Sequence, residues 1–318
     1  MNNIQPELFV EITDKAKAIE LFKACVQEVQ VEVFSYCNRR CPYCPVAEAG
    51  RNGANRYLDI ALFNKILTDL STIAYDRRIG LNLYNEPLAD PIILERIKAI
   101  RDRLPRAQIY FYSNGDYLNA KLLKELEKAG LNELFISIHL APTKPYTDEE
   151  VKKNLAKLES RSGLKLSISE FVPGYYLRSK ANFGKLSIEA FALNYITDGQ
   201  DRGGLMANIK NANERLSPCD RPFHNFVVSY DGSVVPCCQI FIDHPQHAEH
   251  KIGHLDVFPD IFRAYTSEAL AAWRLDNIGY GPKEHEPCAH CSDGDFEMSP
   301  QEKEKLKKLK DLIVLALS

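Results

Sequence analysis

No stretch of this chain approaches the ~18 consecutive apolar residues that a membrane-spanning helix needs, so no membrane partner is expected. The N-terminus lacks a basic segment followed by an apolar run, which argues against a secretory signal and for a cytoplasmic location. An excess of one charge is missing too. The 40 Lys and Arg against 43 Asp and Glu leave a formal net charge of -3, so there is no electrostatic reason to expect a nucleic-acid partner. Internal repeats and low-complexity tracts are absent. What remains is globular in composition, with 45% apolar and 26% charged residues. Its 318 residues suffice for one large α/β domain and a smaller appendage.

Cysteine is the residue the chain has in quantity. Nine cysteines in a reducing compartment point to metal or redox chemistry rather than to a disulfide framework. Cys25 lies in a helical pattern over residues 14–28, where Ala16, Ile19, Leu21, Phe22 and Val26 share a face, and reads as packing. The others fall into two groups, one early and one late.

Between the groups, hydrophobic strands alternate with helices. Strands are expected at Val31–Phe34, Ile79–Tyr84, Gln108–Tyr112, Leu134–Ile138, Lys165–Phe171 and Ala192–Ile196. Helices are expected at Leu58–Ile73, Pro91–Arg103 and Ala120–Ala129, the last closed by Gly130, and after the Thr147–Glu150 capping box. The pattern predicts an α/β fold, a partial (β/α)6 barrel with a parallel sheet. After Gly203-Gly204 it changes. A β-hairpin (Phe226–Tyr230, Asp231-Gly232, Ser233–Val235), a helix near Thr266–Leu275 and a final helix from about Pro300 form a small module. The expected divisions are a helical extension (1–29), the barrel (30–205), the small module (206–298) and a C-terminal helix (299–318). The lysines of that last helix, mixed with Glu302 and Glu304, read as a solvated face.

Cys37, Cys41 and Cys44 follow the first strand with the spacing C-x3-C-x2-C. Thiolates are soft ligands suited to iron–sulfur clusters, and three of them leave one iron of a cubane open. A zinc site lacking its fourth ligand, or chance loop cysteines, are the alternatives. This motif, with aromatic Tyr43 before its last cysteine, resembles that of the radical S-adenosylmethionine (SAM) superfamily. The resemblance implies a [4Fe-4S] cluster whose open iron chelates SAM, and release of a 5′-deoxyadenosyl radical; the cofactor carries the hard step. It further implies SAM contacts at the strand ends. These are Glu86 in Tyr84-Asn85-Glu86-Pro87, where Asn85 stands for the family's glycine, together with Ser113, Asn114 and Ser137. Each of these is equally readable as a loop-capping group.

Cys219, Cys237, Cys288 and Cys291 form the late group. Four thiolates alone suit structural zinc. Behind the first motif they are similar to the SPASM and shortened "twitch" modules, which implies an auxiliary [4Fe-4S] cluster. Cys238, next to Cys237, is a spare ligand, a packed thiol or a hydrogen-atom donor. His244, His247, His250 and His254 crowd one polar loop with no evident carboxylate, and read as structural.

Within the family the chain is similar to aminocyclitol dehydrogenases that carry a twitch module. That implies Arg202, in Arg202-Gly203-Gly204, at the substrate, where a guanidinium orients a hydroxyl better than it accepts a proton; the alternative is a turn-stabilising arginine. Gln239 stands where such enzymes have a carboxylate. Oxidation of a secondary alcohol is one expected reaction. Epimerisation with Cys238 as hydrogen donor is another, and maturation of a ribosomal peptide a third. A non-enzymatic electron-transfer protein is the fourth reading. The expected partners are a small polar substrate, or a peptide, and an electron-donating flavodoxin or ferredoxin. Tyr112, His139, Glu170 and Tyr195 are further polar candidates for the site wall.

Overall fold

The computed structural model describes residues 5–51, 55–142, 144–206, 209, 214–284, 286–294 and 296–317. Helix α1 (Lys15–Cys25) starts where the Asp14 carboxylate accepts the Lys17 N–H, and it buries Ala18, Leu21, Phe22 and Cys25. Phe22 meets the rings of Tyr75, Phe226, Phe262 and Tyr265, all edge-on, so α1 is nailed to the C-terminal part of the chain. Four strand–helix pairs follow the expected order: β1 (Glu28–Val31), α2 (Ile60–Thr72), β2 (Arg78–Gly80), α3 (Ile93–Arg103), β3 (Gln108–Ser113), α4 (Ala120–Ala129), β4 (Glu133–Ser137) and α5 (Asp148–Ser162). Asn119 and Thr147 cap α4 and α5 at their starts, and left-handed Gly130 and Gly163 close them.

After α5 the alternation ends. β5 (Ser167–Val172), β6 (Tyr176–Phe183) and β7 (Leu186–Leu193) form an antiparallel meander, and Tyr195–Asp198 is a helical turn. The expected fifth and sixth strand–helix units are therefore replaced by two hairpins. Gly174 and Gly184, both at positive φ, make these turns possible. β5 is an antiparallel edge strand, and its Glu170 lies opposite Arg178 rather than in the barrel mouth. Only β7 returns to the parallel sheet, beside β4.

The remaining strands are β8 (Asn225–Val228), β9 (Ser233–Val235) and β10 (Gly253–His254), followed by α6 (Glu268–Ile278) and α7 (Pro300–Leu317). The sheet order is β10-β9-β8-β1-β2-β3-β4-β7-β6-β5. β8 runs parallel to β1. Six neighbouring strands, β8-β1-β2-β3-β4-β7, are thus parallel, as a six-stranded partial barrel requires, but the first comes from the C-terminal part of the chain. The sheet as a whole is mixed.

Side-chain alternation sorts the parallel strands into two faces. Val29, Val31, Ile79, Ile109, Phe111, Leu134, Ile136, Ile188 and Ala190 enter the apolar core under the helices. Glu28, Gln30, Arg78, Tyr110, Tyr112 and Phe191 point the other way and line a cavity along the concave side. All six strands end at the same rim, where β/α folds gather their functional groups.

A buried charge cluster fastens the C-terminal part to that rim. Arg51 donates to Glu32 at 2.5 Å and to Asp243 at 2.6 Å. Glu32 also accepts from Tyr84 N, Ser229 Oγ and Tyr230 N, and the Arg51 guanidinium lies over Phe241 and Tyr230.

Candidate active site

Beyond β1 the chain stays extended. Glu32 N donates to Val228 O, and Phe34 bridges Tyr57, so the base of the Cys37–Arg51 loop is pinned on both sides. Arg39 forks onto Asp116 at 2.6 and 2.8 Å, and Asn38 reaches the same carboxylate at 2.8 Å, which holds the loop against the end of β3. Cys37, Cys41 and Cys44 then line one cavity of about 530 Å³. Burial pushes their thiols up, Cys41 to about 11, so a cluster loads with loss of protons.

The expected strand-end residues all line this cavity. Glu86, Ser113 and Asn114 form one hydrogen-bonded unit. The carboxylate of Glu86 accepts from Ser113 Oγ (2.7 Å), Asn114 N (2.7 Å) and Leu88 N (2.9 Å), while its backbone N–H donates to Tyr36 O (2.8 Å). Burial raises the Glu86 carboxyl to about 7 against the pull of those donors. Its side chain therefore ties β2 to β3. Ser137 and Tyr195 both line the cavity. Tyr43 stacks on Tyr195 at 4.2 Å, and its hydroxyl lies 2.8 Å from Nδ1 of His139. Burial, with Arg39 nearby, depresses His139 to about 3, so the imidazole is neutral.

Arg202, Cys238 and Gln239 complete the wall on the far side. Arg202 sits at φ 55°, followed by Gly203 at 63° and Gly204 at 85°. A non-glycine residue in that region is uncommon, and three in succession make a tight loop. Asp201 Oδ1 accepts from Gly203 N and Ser292 N, and His247 Nε2 lies 3.0 Å from Gly203 O. Arg202 Nη1 reaches Gln200 Oε1 at 3.5 Å, whereas its Nε has no hydrogen-bond partner among the described residues, nor has Gln239 Oε1. Two partnerless buried polar atoms in one wall mark a place for a polar ligand. The two carboxylates of the cavity face protein partners, Glu86 as above and Glu28 toward Asn225 and Arg78.

Cys219, Cys237, Cys288 and Cys291 come together around a second, smaller cavity, with Trp273 and Pro222 as apolar wall. Burial raises all four thiols, Cys291 to about 12. Four soft thiolates lining one small cavity suit an iron–sulfur cluster. Cys238 does not line this cavity; it belongs to the first. The histidine loop is structural in its contacts. His244 accepts from Gln246 N, His247 Nδ1 accepts from Phe241 N, and His254 Nε2 lies 2.6 Å from Asp231 O.

Sequence reasoning passed over Arg215, Arg221 and Asp293, which line the second cavity. The available signal was position: Arg221 and Asp293 each lie two residues after a cysteine of the set.

The comparisons agree with this geometry. Residues 31–166 match the radical SAM superfamily, and residues 219–292 match the SPASM iron–sulfur cluster-binding domain. The chain is 28% identical over 213 residues to the S-adenosyl-L-methionine-dependent 2-deoxy-scyllo-inosamine dehydrogenase of Niallia circulans, covering 67% of this chain and 74% of that one. It is 26% identical over 140 residues to a putative glycyl-radical enzyme activating enzyme of Methanocaldococcus jannaschii, which spans 42% of this chain and 36% of the relative. The structure of BtrN in complex with AdoMet and 2-DOIA superposes with a TM-score of 0.59 at 21% identity, over 87% of this chain and 96% of BtrN. BtrN in an open conformation gives 0.56 at 20% identity, over 84% and 92%. Residues 31–166 are thus a radical SAM domain, and residues 219–292 a SPASM iron–sulfur cluster-binding domain.

Proposed function

We propose that this radical SAM enzyme oxidises a secondary alcohol of an aminocyclitol or sugar in natural-product biosynthesis. The observation that carries the reading is the shared wall: Gln239 and Arg221 line both the large cavity and the four-thiol cavity, so a ligand in the first lies one side chain from the second. Cys37, Cys41 and Cys44 would hold one [4Fe-4S] cluster with SAM, and Cys219, Cys237, Cys288 and Cys291 the other. Bound there, these groups would supply a carbon-centred radical that takes the C–H hydrogen atom and an acceptor for one electron, and the hydroxyl proton would pass to solvent. The dehydrogenase of Niallia circulans supports the choice of reaction and of substrate class.

The protein's own residues bind, orient and exclude water. Glu86, Ser113, Asn114 and Ser137 shape the rim at which SAM is held, and the stacked Tyr43 and Tyr195 cover it. Arg202 donates from Nε to the oxygen of the reacting alcohol, and Gln239 Oε1 accepts from a neighbouring hydroxyl; both atoms are buried and without protein partners among the described residues. Peptides are the less favoured substrates. A flavodoxin or ferredoxin would supply electrons to the first site, and the cytoplasm suits a chain whose nine cysteines are all thiols.

A second reading has its own support. Cys238 lines the substrate cavity, and neither carboxylate of that cavity is free to take the hydroxyl proton. Donation of a hydrogen atom from the Cys238 thiol to a substrate radical would give the epimer without a base, and the thiyl radical left behind would return to the thiol by taking one electron from the neighbouring auxiliary cluster and a proton from solvent. The test is anaerobic turnover with reductant and SAM in heavy water, reading 5′-deoxyadenosine and product with polyol and peptide panels. A ketone from a polyol supports the dehydrogenase. A deuterium-labelled isomer would replace it with the epimerase, and stimulation by peptides alone would overturn both.

A further inference from the structure

Two arginines supply positive charge to the four-thiol cavity. Arg215 is 2% exposed and lines it. Its guanidinium donates to the carbonyl oxygens of Ser217, Pro218, Cys291, Asp293 and Gly294, and no carboxylate pairs with it among the described residues. Arg215 thereby laces the loop before Cys219 to the loop after Cys291. Arg221 lines the same cavity, and the substrate cavity as well. Its Nε pairs with Asp293, which also accepts from Gln200 Nε2. Gln200 Oε1 in turn accepts from Gln239 Nε2 at 2.8 Å. The Arg221 guanidinium is therefore held in place by a polar string that begins in the substrate wall.

Two guanidiniums against one carboxylate leave a net positive charge in this wall, where Arg215 is buried and the Arg221 side chain is 32% exposed. Such an excess is costly unless an anion faces it. Four thiolates around an iron–sulfur core are that anion, and the core becomes more negative on reduction. We propose that Arg221 is a positioning residue of the auxiliary site that raises the reduction potential of the cluster held by Cys219, Cys237, Cys288 and Cys291, while Asp293 partly offsets it. A cation beside a cluster favours its reduced state, and charge, hydrogen bonding and burial are the levers by which proteins set such potentials. Arg215 is spent on backbone carbonyls and serves the loops; Arg221 is the cation on the substrate side.

The inference rests on the cluster reading of the four thiols, and its readout is a potential, which needs no substrate. The experiment is an EPR-monitored redox titration of the full-length enzyme reconstituted with both clusters, with SAM added to mark the signal of the cluster that binds it. Arg221→Met is expected to keep the iron and sulfide content of the parent and to move the auxiliary midpoint to more negative potential. Arg221→Lys should fall between the two. Asp293→Asn, which removes the offsetting anion, should move the midpoint the opposite way and so keeps the inference testable if Arg221→Met fails to load. An unchanged midpoint in loaded Arg221→Met, or shifts of the same sign in Arg221→Met and Asp293→Asn, would overturn the role of Arg221 alone. Zinc in place of iron at the C-terminal site of the parent would overturn the cluster reading beneath it.

Discussion

Cys237 and Cys238 are adjacent in the bend and turn that follow β9, yet they line different cavities. Cys237→Ala is expected to lose the C-terminal iron, and Cys238→Ala to retain it; iron and acid-labile sulfide analysis of the two purified variants checks this. In the dehydrogenase reading Cys238→Ala still makes ketone, whereas in the epimerase reading isomer formation disappears. His247 carries a different kind of information. Its Nδ1 accepts the Phe241 N–H, so the proton resides on Nε2 and is donated to Gly203 O. Burial depresses this histidine to about 4. A histidine whose folded pKa lies below its unfolded value stabilises above the unfolded value and loses that contribution as pH falls through the folded one. Stability should therefore decline from about pH 6.5 toward pH 4 on its account. In His247→Phe that part of the decline should vanish, at a cost of about 1–3 kcal/mol at pH 7 from the stranded backbone groups. Urea unfolding of both proteins across that range is the measurement.

At the scale of elements, the Arg202–Gly204 loop decides where the Arg202 guanidinium stands. A Cβ on Gly203 would lie 2.9 Å from Pro287 and 3.2 Å from a His247 ring carbon, at a φ that already disfavours a side chain. Gly203→Ala should displace Arg202, raise the KM for the alcohol by an order of magnitude or so, and leave SAM binding nearly unchanged. Steady-state kinetics beside SAM calorimetry separates the two. The meander β5-β6-β7 is the element that sequence reading misjudged. Its strand β6 keeps Arg178 and Lys180 on one face and Leu177, Ser179, Ala181 and Phe183 on the other, a period-2 pattern that the sequence reading passed over. The turn signals were there, Pro173-Gly174 before it and Gly184 after it. The alternation of the earlier units concealed them.

At the scale of the whole molecule, barrel and module share one sheet through β8 beside β1, and the Glu32–Arg51–Asp243 cluster crosses the same seam. Removing Arg51 would leave two buried carboxylates facing each other, and breaking a buried ion pair costs about 3–5 kcal/mol. Arg51→Met should lower the thermal midpoint markedly while the protein still unfolds in one transition, because the sheet is continuous. Differential scanning calorimetry would expose a second transition if the module unfolded by itself.

The first cysteine motif was legible in the sequence because its three cysteines lie within eight consecutive residues, so local spacing alone identifies it. Caps and glycine stops were legible for the same local reason, as at Asn119, Gly130 and Thr147. The strand-end residues Glu86, Ser113 and Ser137 were singled out by the family resemblance, and the rule for parallel strands put them on one rim before any contact was known. Tertiary structure decided what depends on residues far apart in the chain. It decided that the sixth parallel strand is Asn225–Val228, that the Glu86 carboxylate is consumed by Ser113 and Asn114, and that Cys238 lines the large cavity. It also placed Arg221 between the two cavities. Side-chain direction and long-range pairing follow from how the whole core packs, and a local pattern does not contain them.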